Sequence, residues 1–92
     1  MKTAHATITG RVQGVGYRAW TVDMARRLGL KGWVRNRRDR SVEAVFHGSA
    51  EKIEIMREQC RKGPLMARVL DVRFSDMEPD EEFQGFTSKP TL

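Results

Sequence analysis

One cysteine, three prolines and no long apolar run leave little room for several kinds of protein. A lone Cys60 excludes an intramolecular disulfide. No apolar stretch approaches the length of a signal h-region or a membrane span, so the cytoplasm is the expected location. No residues fall at metal-ligand spacing, and no G-K-[ST] follows the glycines, which rules out a nucleoside-triphosphate P-loop. Internal repeats, linkers and low-complexity segments are also missing. Acids are scarce where bases gather: Arg26, Arg27, Lys31, Arg35, Arg37, Arg38 and Arg40 face Asp39 alone. The reverse holds from Asp76 to Glu82, where five acids occur without a base.

What is present fits one compact domain, 1–92, with a modest core: 39% of the residues are hydrophobic and 32% charged. The net charge of +5 favours acidic small molecules, nucleic acid or anionic surfaces as partners. Alternation from Thr3 to Thr9 predicts a half-buried strand, with Ala4, Ala6, Ile8, Gly10 and Val12 on one face. The other face carries Thr3, His5, Thr7, Thr9 and Arg11. Helical spacing then covers Ala19 to Leu28, with Tyr17, Trp20 or Thr21, Met24, Ala25 and Leu28 inward and Gly29 at a left-handed C-terminal position. Lys31 to Arg37 and Ser41 to His47 form a hairpin around Arg38-Asp39-Arg40. A second helix starts near Ser49, buries Ile53, Met56 and Cys60, and stops at Gly63-Pro64. Leu70, Val72 and Phe74 alternate in a fourth strand, and Phe83 to Lys89 is expected as a short fifth, weakened by Gly85. The order β-α-β-β-α-β implies an α+β, ferredoxin-like sandwich: an antiparallel sheet of four strands plus a short fifth, with two helices on one face.

Between the first strand and helix lies Gly10-Arg11-Val12-Gln13-Gly14-Val15-Gly16-Tyr17-Arg18. Gly14 and Gly16 permit positive φ, and the first amides of the coming helix have no internal partners. Arg18 opposes the helix dipole in that first turn, a conflict that an anion held between the amides and the guanidinium would remove. A planar fork suits two phosphoryl oxygens better than a lysine does. Gly14 to Ala19 also satisfies the dinucleotide pattern G-x-G-x-x-[GA], with Asp39 near the distance of a ribose acid. An immediate hairpin after the helix speaks against the repeated parallel crossovers which that fold requires.

Gly10 to Arg18 resembles the acylphosphatase signature G-x-V-Q-G-V-G-[FY]-R, and Gly32-Trp33-Val34-Arg35-Asn36-Arg37-Arg38-Asp39 resembles that family's second signature, G-[WY]-V-x-N-x-x-D. The similarity continues through Val42-Glu43, Lys62-Gly63-Pro64 and the late Phe-rich strand. It implies the same fold, and metal-free, cofactor-free hydrolysis of acyl phosphates to a carboxylate and inorganic phosphate. The resemblance assigns Arg18 and Asn36 as catalytic residues, and Gln13, Gly14, Val15, Gly16, Tyr17 and Arg18 as the phosphate-binding loop. In that assignment the amides and Arg18 bind the phosphoryl group while Asn36 holds the attacking water.

An acyl phosphate is therefore the expected small-molecule partner, with inorganic phosphate or sulfate as competing anions and no membrane. A nucleic-acid-binding or non-catalytic regulatory domain is the alternative, since RNA-recognition domains share the topology. The open face of the first and third strands, with His5, Thr7, Thr9, Glu43, Val45 and His47, makes a poor base-stacking platform. The chain is expected to be a monomer. Both histidines are read as surface residues, Cys60 as core, and Arg35 to Arg40 as a solvated face that raises the local concentration of anions. Arg40 departs from the family, which usually has Gly there; positive φ at that position would cost on the order of 1 kcal/mol.

Overall fold

The computed structural model describes residues 1–92. Seven elements follow in order: β1 (Lys2–Arg11), α1 (Tyr17–Arg27), β2 (Lys31–Asn36), β3 (Val42–Gly48), α2 (Ala50–Lys62), β4 (Arg68–Asp76) and β5 (Phe86–Ser88). They build a five-stranded sheet in the order β4-β1-β3-β2-β5. The first four strands pair antiparallel, and β5 runs parallel to β2. The fold is the ferredoxin-like α+β arrangement expected from the element order, with a mixed sheet.

Alternation in β1 and β3 sends Ala4, Ala6, Ile8, Val42, Ala44 and Phe46 to the helix side, where all are essentially inaccessible. The helices cover this face with Tyr17 and Ala25 from α1, and Ile53, Met56 and Cys60 from α2. Phe46 sits between Phe74 and Phe86, with ring centroids 5.7 and 5.4 Å away. Burying each such large side chain contributes about 1.5–3 kcal/mol. Helix α1 begins two residues before the periodic run, because Gly16 (φ 82°) turns the chain into it from a left-handed conformation. Of Trp20 and Thr21, the buried one is Thr21, whose hydroxyl donates to Tyr17 O at 2.8 Å. Gly29 (φ 71°) ends the helix, and Leu30 N donates back to Ala25 O. Helix α2 is capped as expected by Ser49, whose Oγ accepts from Lys52 N.

Two expectations along the later strands change. Beyond the Thr9–Asp71 pair, Gly10 faces Val69, so Leu70 is an extra residue in β4. A Cβ on Gly10 (φ 123°) would stand 2.3 Å from Arg68 O, so the β1 side of this bulge accommodates only hydrogen. The bulge turns Val69 toward the core and leaves Leu70 84% exposed, breaking the alternation with Val72 and Phe74. The fifth strand shrinks to Phe86–Ser88. Ahead of it, Gly85 O accepts from Gly32 N, and Phe83 turns onto His47 on the opposite side of the sheet.

The β2–β3 hairpin and the loop after β1 are locked together. Gln13 Nε2 donates to Arg37 O at 2.8 Å and to Ser41 O at 2.9 Å, so one side chain spans the two arms of the hairpin. Within the turn, Asp39 accepts from Ser41 N at 2.9 Å and Ser41 Oγ at 2.6 Å, which holds its carboxyl below the usual range. Arg40 is the one non-glycine residue at positive φ, 78°.

Arg40→Gly is expected to stabilise the protein by about 0.5–1 kcal/mol, because it removes left-handed strain at a modest entropic cost in the unfolded chain. Urea melts check it, and a destabilised variant contradicts the strain. Gln13→Leu keeps the bulk but removes both bonds from the loop to the hairpin, whose carbonyls then keep only their backbone donors Arg40 N and Arg37 N. The expected loss is about 1–2 kcal/mol in the same melts, with unchanged circular dichroism at low urea.

Candidate active site

The cradle forms where β1 and β2 end and α1 begins. Val12, Gly14, Gly16, Tyr17, Arg18, Ala19, Asn36 and Ser88 line a cavity of about 360 Å³. The loop glycines adopt the conformation their positions suggested, Gly14 at φ 73° and Gly16 at φ 82°. None of the amides of residues 13–16 donates to an acceptor within the protein. The first turn of α1 contains no acid and Gly16 supplies no side-chain cap, so the positive end of this helix is left uncompensated. Arg18 adds a guanidinium to the same cavity and takes part in none of the protein's ion pairs.

Asn36 is the last residue of β2 and enters the cavity from the far side. Its Oδ1 is buried and has no hydrogen-bond partner. A buried amide oxygen left without a donor costs about 1–3 kcal/mol, and a site for a water or another donor explains why such a group persists. The arrangement therefore offers donors on one wall, from the loop and Arg18, and an open acceptor on the other. Gly14, Gly16, Tyr17, Arg18 and Asn36 come together as the two motifs suggested. Val15 packs partly against the core and is not in the cavity lining, and the side chain of Gln13 is engaged with the hairpin. Tyr17 faces both ways: it lines the cavity, and its buried hydroxyl donates to Cys60 O at 2.7 Å. Burial, with Cys60 beside it, raises the phenol pKa far above its ordinary value.

Sequence reasoning missed Ser88. The parallel pairing of β5 with β2 sets Ser88 opposite Val34, two residues before Asn36, and so at the cavity edge. No motif marks it; only the strand pairing does.

The other titratable residues are accounted for elsewhere. Cys60 is fully buried and its thiol is pushed up to about 12 by burial, as suits a packed side chain. The two histidines lie on the open face as expected, but half-buried and bonded. His5 Nε2 lies 2.7 Å from Glu43 Oε2, and His47 Nδ1 lies 2.7 Å from Thr3 Oγ1. Burial works to raise the Glu43 pKa, but hydrogen bonds from His5 and Arg35 outweigh it and hold the carboxyl below its usual range. Arg35 and Arg37 both reach Glu43 Oε1, at 2.7 and 3.3 Å, so part of the arginine-rich stretch is tied to the sheet rather than free in solvent. The cations of Arg35 and Lys89 each lie 4.7 Å from the centre of the Trp33 ring. No three His, Cys, Asp or Glu side chains converge anywhere as a metal-binding group, and no helix is long and apolar enough to cross a membrane.

Comparison with known proteins gives the family. The acylphosphatase family model matches residues 4–88. The chain is 53% identical to the acylphosphatase of Rhodospirillum rubrum over 93 aligned positions, covering 100% of both chains. It is 46% identical to that of Acidiphilium cryptum, covering 99% of each. Among solved structures, the acylphosphatase of Coxiella burnetii superposes with a TM-score of 0.91 at 33% identity, over 96% of this chain and 92% of that one. The Bacillus subtilis acylphosphatase gives 0.92 at 29% identity, over 97% and 99%. With both signatures converging on one cavity and the family model spanning nearly the whole fold, this chain belongs to the acylphosphatase family.

Proposed function

We propose that Arg18 and the amides of residues 13–18 hold the phosphoryl group of an acyl phosphate while Asn36 holds the attacking water, in the acylphosphatase reaction that family membership implies. The observation that carries this reading is the buried, unpartnered Oδ1 of Asn36 across a single cavity from Arg18 and a run of free amides. The phosphoryl oxygens find donors on the loop wall, where the helix end and guanidinium also oppose their charge. The water donates one hydrogen to Asn36 Oδ1, which fixes its lone pair toward phosphorus in line with the departing carboxylate.

Water's oxygen bonds to phosphorus as the bond from phosphorus to the acyl oxygen breaks. The electron pair leaves on the carboxylate. A loose transition state spreads charge over the equatorial oxygens, which the amides and Arg18 stabilise. No carboxylate or imidazole lines the cavity. The proton therefore passes to a phosphoryl oxygen or to the departing carboxylate, both of which the substrate itself supplies.

Arg18→Gln is expected to weaken inhibition by inorganic phosphate and to lower kcat together, because the guanidinium meets the phosphoryl group throughout the reaction. Asn36→Ala should leave the phosphate inhibition constant nearly unchanged while kcat for benzoyl phosphate falls about 10²-fold or more. Equal loss of phosphate affinity in the two folded variants would place Asn36 in the anion cradle instead. Dialysis against a chelator should leave the wild-type rate unaltered, since every group assigned a role is an amide, a guanidinium or a carboxamide. Activity that is lost on dialysis and restored by magnesium or zinc overturns that chemistry.

A further inference from the structure

Ser88 stands at the cradle with no task assigned to it. β2 and β5 run side by side in parallel, and the rung that pairs Ser88 with Val34 lies two residues before Asn36. Alternate residues of a strand share a face, so Asn36 follows Val34, and Ser88 follows Phe86, on the helix side of the sheet. Val34 and Phe86 are buried there in the core, while Asn36 and Ser88 line the cavity. Backbone bonds hold this register. Lys89 N donates to Val34 O at 2.8 Å, and Leu92 N donates to Asn36 O at 3.2 Å.

Neighbouring strands lie about 4.8 Å apart and each residue rises about 3.3 Å, which sets the Cα atoms of Ser88 and Asn36 roughly 8 Å apart. Their side chains form no direct hydrogen bond, and the Ser88 hydroxyl bonds to nothing else in the protein. A single water, with two bonds of about 2.8 Å, spans such a gap between a carboxamide and a hydroxyl. The rest of the lining offers no competing side-chain acceptor. Val12, Gly14, Gly16 and Ala19 have no polar side chain, Arg18 only donates, and the Tyr17 hydroxyl is turned to Cys60 O. Asn36 Oδ1 and Ser88 Oγ are therefore the two side-chain oxygens left to accept from a molecule in the cavity.

We propose that Ser88 is the second holder of the attacking water: Asn36 Oδ1 accepts one of its hydrogens and Ser88 Oγ accepts the other. The proposal rests on the reading of Asn36 as the first holder. One bond directs the water, and a second removes its rotation about the first, so that its lone pairs stay turned toward phosphorus. In a loose transition state the water keeps both protons until its oxygen has bonded to phosphorus, so the two holders orient it throughout the approach. The loop amides and Arg18 meet the phosphoryl oxygens from the other wall, which leaves Ser88 to the nucleophile and not to the anion.

Turnover of benzoyl phosphate and inhibition by inorganic phosphate test this. Ser88→Ala is expected to lower kcat about fivefold, as for the loss of one neutral hydrogen bond, and to leave the phosphate inhibition constant unchanged. Ser88→Thr keeps the hydroxyl on a residue that suits a strand and should recover most of the rate. Added to Asn36→Ala, the Ser88→Ala change should slow the enzyme less than twofold further, because two holders of one water act as a unit. Unchanged kcat in Ser88→Ala overturns the role of Ser88 and leaves that of Asn36 standing. Weaker phosphate inhibition in Ser88→Ala moves the hydroxyl to the anion, and a Ser88→Thr variant as slow as Ser88→Ala assigns the loss to the shape of β5; either result overturns the proposal. So does a full fivefold loss on the Asn36→Ala background, which separates Ser88 from that water. Wild-type kcat in Asn36→Ala alone overturns the reading of Asn36, and the role of Ser88 with it.

Discussion

An uncompensated positive field at the start of α1 is the constraint around which this protein is built. A helix ordinarily opens with a side-chain cap and an acid. Here it opens with Gly16 in a left-handed conformation, a loop of free amides and Arg18. Each departure makes the isolated protein less stable and makes the cavity a better receptor for a multiply charged anion. The remainder of the fold has to hold this loop open, because a flexible loop would turn its amides to its own carbonyls or to solvent.

Two anchors do so. Tyr17 fastens the first turn of α1 to α2 through Cys60 O, deep in the core. Gln13 fastens the other end of the loop to Arg37 and Ser41, on either side of the hairpin turn. The residue before Arg37 is Asn36, so the bonds that shape the loop also set its distance from the residue opposite. This coupling gives the strained turn a purpose. Arg40 tolerates a left-handed backbone because Asp39 and Ser41 close the turn around it, and the carbonyls of Arg37 and Ser41 then sit where Gln13 can reach both. The open face of the sheet plays a different part. Glu43 gathers His5, Arg35 and Arg37 around one half-buried carboxylate, which ties these side chains across β1, β2 and β3 and leaves no aromatic stacking platform at the centre of that surface.

Much of this was legible in the residues themselves. Period-two and helical spacing are local properties of a chain with one buried face, so β1, the hairpin, both helices and the residues they bury could be read directly. Gly14, Gly16 and Arg18 stood out because their chemistry departs from what stability alone would select, whereas Asn36 was marked only by the resemblance to the family's second signature. The misreadings arise where a residue's environment is set from a distance. Leu70 looked like a core residue because alternation in β4 assumes a regular ladder, and the ladder is broken by Gly10, sixty positions earlier.

Sequence by itself determined the element order, the class of fold, the buried faces and a glycine-rich loop ahead of α1, because each follows from short-range periodicity and backbone freedom. Only the tertiary structure decided which groups share a cavity and which are spent elsewhere. It brought Ser88 beside Asn36 through a parallel pairing between strands about fifty residues apart, and it diverted Arg35 and Arg37 to Glu43. Such neighbours depend on strand order and register, which the whole sheet settles at once and no local pattern encodes.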